Sequence, residues 1–256
     1  MAIHFPLFLR SLCLSSHSKT ILVAPITSDR GLTPPPNLYL PEYQVKLVSN
    51  FNIPEVNKRS TKRRAEYGHP GDVLRHSFDV SRNRLLQESL YSFAFSTCMD
   101  ISSVMDAPQC VLLDLACGTS VPFGGGTLVP STVFKLGLDQ IVLPLSGIDF
   151  VKCSLVDSRL PLRDSSVDFL ISISFAQWVT ASEDIGVIDL FTRECVRVLA
   201  TKGGRGVLQF YPGNARDLDL ICDGLVSAHP GIKGCRLCAS PVKNRGLKIF
   251  VYFVKD

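Results

Sequence analysis

Three aspartates sit at or near the ends of apolar runs: Asp114 in "CVLLDL", Asp139 in "LGLDQ" and Asp157 in "SLVDSRLPL". Such runs suit strands of a parallel sheet buried on both faces, and open sheets of this kind hold ligands beyond the carboxyl ends of their strands. Carboxylates at successive strand ends can meet an amino group, a ribose diol and an adenine amine. A nicotinamide enzyme would need G-x-G-x-x-G after the first of these strands, and "ACGTSVPFGGG" does not supply that spacing.

The elements that would position the acids follow from the pattern around them. Leu85, Leu86, Leu90, Phe93 and Met99 recur at helical intervals, with Asp79 or Ser81 available as a cap, so a helix precedes the run ending at Asp114. "STVFKLGLD" and "FVKCSLVD" read as the next strands and "SSVDFLISIS" as a fourth. "DIGVIDLFTRECVRVLA" has a broad apolar face and is a helix, "KGGRGVLQFY" turns on glycines into a fifth strand, "ARDLDLICDGLVSA" is amphipathic, and "GLKIFVYFVKD" closes the chain as a β-rich run. Strands alternating with helices predict a doubly wound α/β domain over 67–256.

The 256 residues, 46% hydrophobic and 20% charged, are enough for one such domain with an extension, and the net charge of +4 permits a nucleic-acid partner without implying one. Residues 1–66 read as a largely disordered extension. Its start has Arg10, Lys19 and several serines with no acid before Asp29, the character of an organelle transit peptide or of an ordinary disordered terminus. "GLTPPPNLYLPEY" reads as extended linker, and "NKRSTKRR" places Lys58, Arg59, Lys62, Arg63 and Arg64 within eight residues, as solvated linker charge, nuclear import signal or phosphate contact. No apolar run is long enough to span a bilayer, so no membrane association is expected. The nine cysteines are scattered and odd in number, which suits a reducing compartment; Cys235 and Cys238 form a lone CxxC that reads as two buried thiols rather than a zinc site.

From about Ser81 onward the chain resembles class I S-adenosylmethionine-dependent methyltransferases, and specifically the eukaryotic small-subunit (18S) rRNA guanine-N7 methyltransferases of ribosome biogenesis. Asp114 to Thr119 and Leu160 to Phe169 carry the general likeness. Ser81, Arg82 and Gln87, "ISISFAQW" (Ile171 to Trp178) and "VLQFYPGN" (Val207 to Asn214) carry the narrower one. The resemblance implies a seven-stranded Rossmann-like sheet with helices on both faces and S-adenosyl-L-methionine as cofactor. It implies that Asp114, Ala116, Gly118 and Thr119 surround the methionine part of the cofactor with Arg82 and Ser174 nearby, that Asp139 holds the ribose hydroxyls, with Asp149 as a rival, and that Asp157 and Ser158 face the adenine. Gln177, Trp178 and Tyr211 would position the target base, with Pro212 beside them. Phe175 is a further stacking candidate, though it and Phe210 read more readily as core aromatics.

The likeness also implies partners: rRNA in the pre-ribosomal small subunit, and a small zinc-binding activator that adds strands beside an open edge. That edge is expected at "DFVKCSLVD" (149–157), with Phe150, Val151, Cys153, Leu155 and Val156 apolar and only Lys152 as a guard before the terminal acid. A charge at Ser154 or Leu155 is expected to break the pairing. The nucleus or nucleolus and the cytoplasm are the expected locations, with mitochondrial targeting by the N-terminus as an alternative. The chain departs from the family at Ala116 and Ser120, where glycine is usual, in the short segment 140–150, and in lacking a basic tail after the last strand. The departures keep two further readings open: a catalytically weak ribosome-assembly factor on the same fold, and a methyltransferase for another RNA or a small molecule. Alanine is acceptable where the loop stays extended; serine is costly at a positive φ.

Overall fold

In the computed structural model the described residues are 19–38, 43–49, 81–101, 110–118, 129, 132–140, 148–241 and 246–256. Among the described residues nine strands form one sheet: β1 (Lys19–Pro25), β2 (Tyr43–Leu47), β3 (Val111–Leu115), β4 (Phe134–Asp139), β5 (Asp149–Lys152), β6 (Phe169–Ile173), β7 (Gly204–Phe210), β8 (Ile232–Ala239) and β9 (Lys248–Lys255). Their order is β2-β1-β8-β9-β7-β6-β3-β4-β5. The helices are α1 (Ser81–Phe93), α2 (Ala176–Ala181), α3 (Ile185–Val198) and α4 (Ala215–Ala228); α1 continues directly into a π-helical stretch, Ala94–Met99.

Strands β3 to β9 form the seven-stranded, doubly wound, Rossmann-like sheet expected from the sequence. β3, β4, β5, β6 and β7 run parallel, and β9 returns antiparallel between β7 and β8. After β3 the chain moves outward through β4 to β5, then crosses back to place β6 on the other side of β3. The direction of winding therefore reverses between β3 and β6, where ligands bind in such sheets.

The strand count is a correction. β1 and β2 lie in the expected N-terminal extension, yet β1 pairs antiparallel with β8 and β2 pairs parallel with β1. "KTILVAP" is an apolar, β-branched run, and β8 would otherwise be an open edge; pairing satisfies its ladder and buries Ile21 and Val23 almost completely. Residues 1–18 and 50–80, including the basic run and the start of the expected domain, lie outside the described residues. β8 itself, "IKGCRLCA", has no clean period-two alternation because all but Lys233 of it is buried on one face or the other. It carries the CxxC, and the pleat sends the two thiols apart: Cys235 packs in the core layer under α1 and Cys238 in the layer under α3 and α4. They are buried thiols as expected, and no group of three potential metal ligands occurs among the described residues.

The two core layers follow the pleat elsewhere too. Along β9, Ile249, Val251 and Phe253 face α3 and α4, while Phe250 and Tyr252 face α1 and the π-helical stretch. α3 starts on Asp184, whose side chain accepts from the Gly186 N–H at 2.8 Å, and α4 on Asn214, which accepts from Asp217 at 3.0 Å. At the far end of α3 the buried Lys255 ammonium donates to the carbonyls of Val196 and Leu199, each at 2.9 Å, placing a cation at the helix C-terminus. Arg197 and the buried Glu194 bind each other and the segment leading to β6: Arg197 donates to Glu194, Asp164 and the carbonyls of Leu160 and Leu162, and Glu194 accepts from the Leu160 N–H. The "LPLRD" run is thus a structural lock. Asp168 is structural as well, accepting from the Val111 N–H at 2.8 Å. No described helix is long and apolar enough to cross a membrane.

Candidate cofactor and base site

The acids lie at one end of the sheet because β3, β4 and β5 are parallel and in step. Asp114 pairs across to Gly137 in β4, one residue before β3 ends; Asp139 ends β4 opposite Lys152, and Asp157 and Ser158 follow β5 as exposed residues. Asp149 opens β5 opposite Leu136, three residues before Asp139, and is exposed. Register thus puts the rival acid toward the amino end of its strand and Asp139 at the ligand end.

Asp114 is fully buried. Its Oδ2 accepts from the Tyr91 hydroxyl at 2.6 Å, while Oδ1 is buried with no hydrogen-bond partner among the described residues. Burial pushes the Asp114 carboxyl well above the usual carboxylate range; the Tyr91 bond opposes this and the nearby Asp139 adds to it. A buried acceptor left without a donor is costly, so this oxygen suits an incoming cation.

The loop after β3 is built on Asp139 as well. Ala116 and Cys117 donate their N–H groups to the Leu138 carbonyl at 2.8 and 3.3 Å, and Gly118 donates to Asp139 Oδ2 at 2.8 Å. Gly118 has φ of 53° and Ala116 has φ of 57°. The expectation that alanine meets an extended loop is corrected: Ala116 sits in the left-handed region, where a Cβ crowds the following carbonyl at a cost of roughly 1–2 kcal/mol. Thr119 and Ser120 lie outside the described residues, as does the side chain of Arg82, whose backbone is in the first turn of α1. At β5, Ser154 Oγ donates to Asp157 Oδ2 at 2.8 Å and Ser158 Oγ to the Ser154 carbonyl at 3.2 Å, which shapes the turn that presents both residues.

Across the reversal in winding, the turn after β6 is tied to the end of β7. Ser174, at φ of 62°, donates its N–H to the Gln209 carbonyl at 2.7 Å and its hydroxyl to Gln209 Oε1 at 3.1 Å. The buried Gln177 donates to the Ser174 carbonyl and accepts from the Tyr211 N–H at 3.3 Å. Its amide is engaged at both ends with backbone, so Gln177 braces two loops and positions the Tyr211 backbone. Phe175 packs against Phe191 with ring centroids 5.8 Å apart, and Phe210 is fully buried, so both are core aromatics. Trp178 and Tyr211 are only partly buried and belong to neither core layer. Tyr211 carries the Lys248 ammonium 5.1 Å from its ring centroid. Sequence reasoning missed Tyr91 and Lys248; neither had a motif, and each is brought to the site by tertiary packing alone.

No family model matches the chain. A protein named probable 18S rRNA (guanine-N(7))-methyltransferase from Dictyostelium discoideum is 26% identical over 152 residues, covering 55% of this chain and 51% of that one. The 18S rRNA (guanine-N(7))-methyltransferase of Bos taurus is 26% identical over 133 residues, covering 48% and 47%. The chain thus spans about half the length of the curated relatives it matches. Among solved structures, a SAM-dependent methyltransferase from Aquifex aeolicus is 15% identical with a TM-score of 0.45, covering 73% of this chain and 100% of the other. The magnesium protoporphyrin IX methyltransferase of Synechocystis is 14% identical with a TM-score of 0.46, covering 77% and 96%.

Proposed function

We propose that this protein is an S-adenosylmethionine-dependent RNA methyltransferase that acts on guanine N7 of small-subunit rRNA during ribosome biogenesis. The observation that carries the reading is the row of acids at the carboxyl ends of β3, β4 and β5, headed by a buried Asp114 whose Oδ1 has no donor among the described residues. The residues present fit the cofactor: Asp114 would take its ammonium group, Asp139 its ribose hydroxyls and Asp157 with Ser158 its adenine edge. Bound there, the cofactor supplies an electrophilic sulfonium methyl.

Guanine N7 has a free lone pair, so no proton leaves the nucleophile and no general base is required. The protein's part is to hold the base edge in line and exclude water, which is catalysis by proximity and orientation. Trp178 and Tyr211 stand outside the core at the ends of β6 and β7, across the reversal in winding from the acids, and supply faces on which an unstacked guanine can lie. Gln177 and Ser174 keep those two strand ends together.

The reading includes the partners expected from sequence: the pre-ribosomal small subunit, and a small zinc-binding activator on the open edge of β5. It also implies work in the nucleus or nucleolus and the cytoplasm. Titration calorimetry with S-adenosylmethionine tests the cofactor, and mapping borohydride-cleavable N7-methylguanosine in rRNA after depletion tests the substrate. Ala116 at a positive φ favours a second reading, a ribosome-assembly factor that keeps the fold and has lost cofactor affinity. Absence of binding at millimolar cofactor, with the activator present, would select it.

A further inference from the structure

Tyr91 sits two residues before the end of α1 and is nearly completely buried. A tyrosine in such a place needs a partner for its hydroxyl, and here it has one 23 residues away in sequence, Asp114 Oδ2 at 2.6 Å. That separation is within the range of charge-assisted O–H···O⁻ bonds. The ring is held in turn. It packs against Phe95 at a centroid distance of 5.7 Å, and the π-helical stretch carrying Phe95 is pinned from two sides. Asn37 donates to the Ser96 carbonyl at 2.7 Å and to Asp100 Oδ1 at 2.9 Å, and Arg205 donates to the Met99 carbonyl at 2.6 Å.

We infer that Tyr91 is a positioning residue of the cofactor site: its hydroxyl occupies Asp114 Oδ2 and turns the carboxylate so that Oδ1 is presented to the cofactor's ammonium group. The inference rests on the methyltransferase reading. A residue chosen only to fill this space would be phenylalanine, as at Phe93 and Phe95 beside it; the hydroxyl is explained by the acid it reaches.

The same contact sets the charge of the acid. Among the described residues, Tyr91 and Asp139 are the titratable groups that act on Asp114, and of these only the Tyr91 bond favours its ionised form. Removing that bond raises the Asp114 carboxyl further, so at a given pH less of it is ionised and the cofactor binds more weakly. The deficit shrinks as pH rises and the carboxyl ionises.

The test is titration calorimetry of S-adenosylmethionine into the full chain, alone and co-expressed with the activator, as wild type, Tyr91→Phe, Asp114→Asn and the double variant, over a pH series, with melting curves for each. Tyr91→Phe keeps the ring and is expected to melt close to wild type, to bind about ten-fold or more weakly near neutral pH, as loss of one hydrogen bond to a charged group implies, and to recover affinity at higher pH. In the Asp114→Asn background the same change is expected to add almost nothing. Wild-type affinity and pH profile in Tyr91→Phe, or an equal loss in both backgrounds, would overturn the positioning role while leaving the methyltransferase reading intact. A wild-type chain that binds no cofactor, either alone or with the activator, would overturn that reading and this inference with it.

Discussion

The backbone N–H of Gly118 donates to Asp139 Oδ2 at 2.8 Å, so the acid that ends β4 also holds the loop that leaves β3. One carboxylate thereby shapes the loop after β3 and lies at the carboxyl end of its own strand. Asp139→Ala is expected to lower cofactor affinity at least ten-fold, since hydrogen bonds to charged groups contribute roughly 1.5–3 kcal/mol. Asp149→Ala, at the amino end of β5, is expected to leave it unchanged. Calorimetric titration of the two variants decides between the acids; the reverse pattern would mean that the ribose acid is Asp149.

Ala116 is a residue in a conformation suited to glycine. Ala116→Gly is expected to raise stability by up to about 1 kcal/mol in denaturant unfolding, the relief of the left-handed strain outweighing the extra freedom of the unfolded chain. Cofactor affinity is expected to be retained or improved. A loss of stability would show that the loop gains more from the alanine methyl than the backbone loses.

Trp178 is expected to act on RNA and not on the cofactor. Trp178→Ala should weaken RNA binding by roughly 1–3 kcal/mol, the range for a base stacked on an aromatic ring, and slow methyl transfer while cofactor titrations stay unchanged. A fall in melting temperature with loss of cofactor binding would make it a core residue.

β5 is an edge strand among the described residues, as expected, though it is shorter than its sequence implies, ending at Lys152. Leu155 is part of the core and Ser154 shapes the Asp157 turn, so a charge at either position would disturb the fold as well as the edge. The Cys153 N–H points inward to the Asp139 carbonyl at 3.0 Å; by alternation the Lys152 N–H points outward. Lys152→Pro removes that outward donor and spares the ladder to β4. The protein expressed alone is expected to be poorly soluble, co-expression with the activator to rescue solubility and cofactor binding together, and Lys152→Pro to abolish the rescue in pull-down and solubility assays. A lone protein that is monomeric, soluble and binds cofactor tightly would refute the partner.

Local pattern determined a good deal of this molecule. The apolar runs that form β3 and β6 are strands because residues buried on both faces leave a continuous hydrophobic signature, and the caps at Asp184 and Asn214 are short-range chemistry. The alternation of strand and helix was enough for the fold class, and Phe210 and Asp168 could be assigned to structure from their place in a run. What the sequence alone left open depended on residues distant in the chain. Register, which depends on how β4 and β5 are laid side by side, set Asp139 at the carboxyl end of its strand and Asp149 at the amino end of its own. The pleat of β8 sent Cys235 and Cys238 to opposite faces. The edge of β8 recruited β1 and β2 from a segment that reads as a largely disordered extension, because an unpaired strand edge takes whichever apolar run can reach it. Tyr91 acquired its meaning only when α1 was laid against the end of β3: a tyrosine in a helix is ordinary, and only the packed sheet puts a buried carboxylate within 2.6 Å of its hydroxyl.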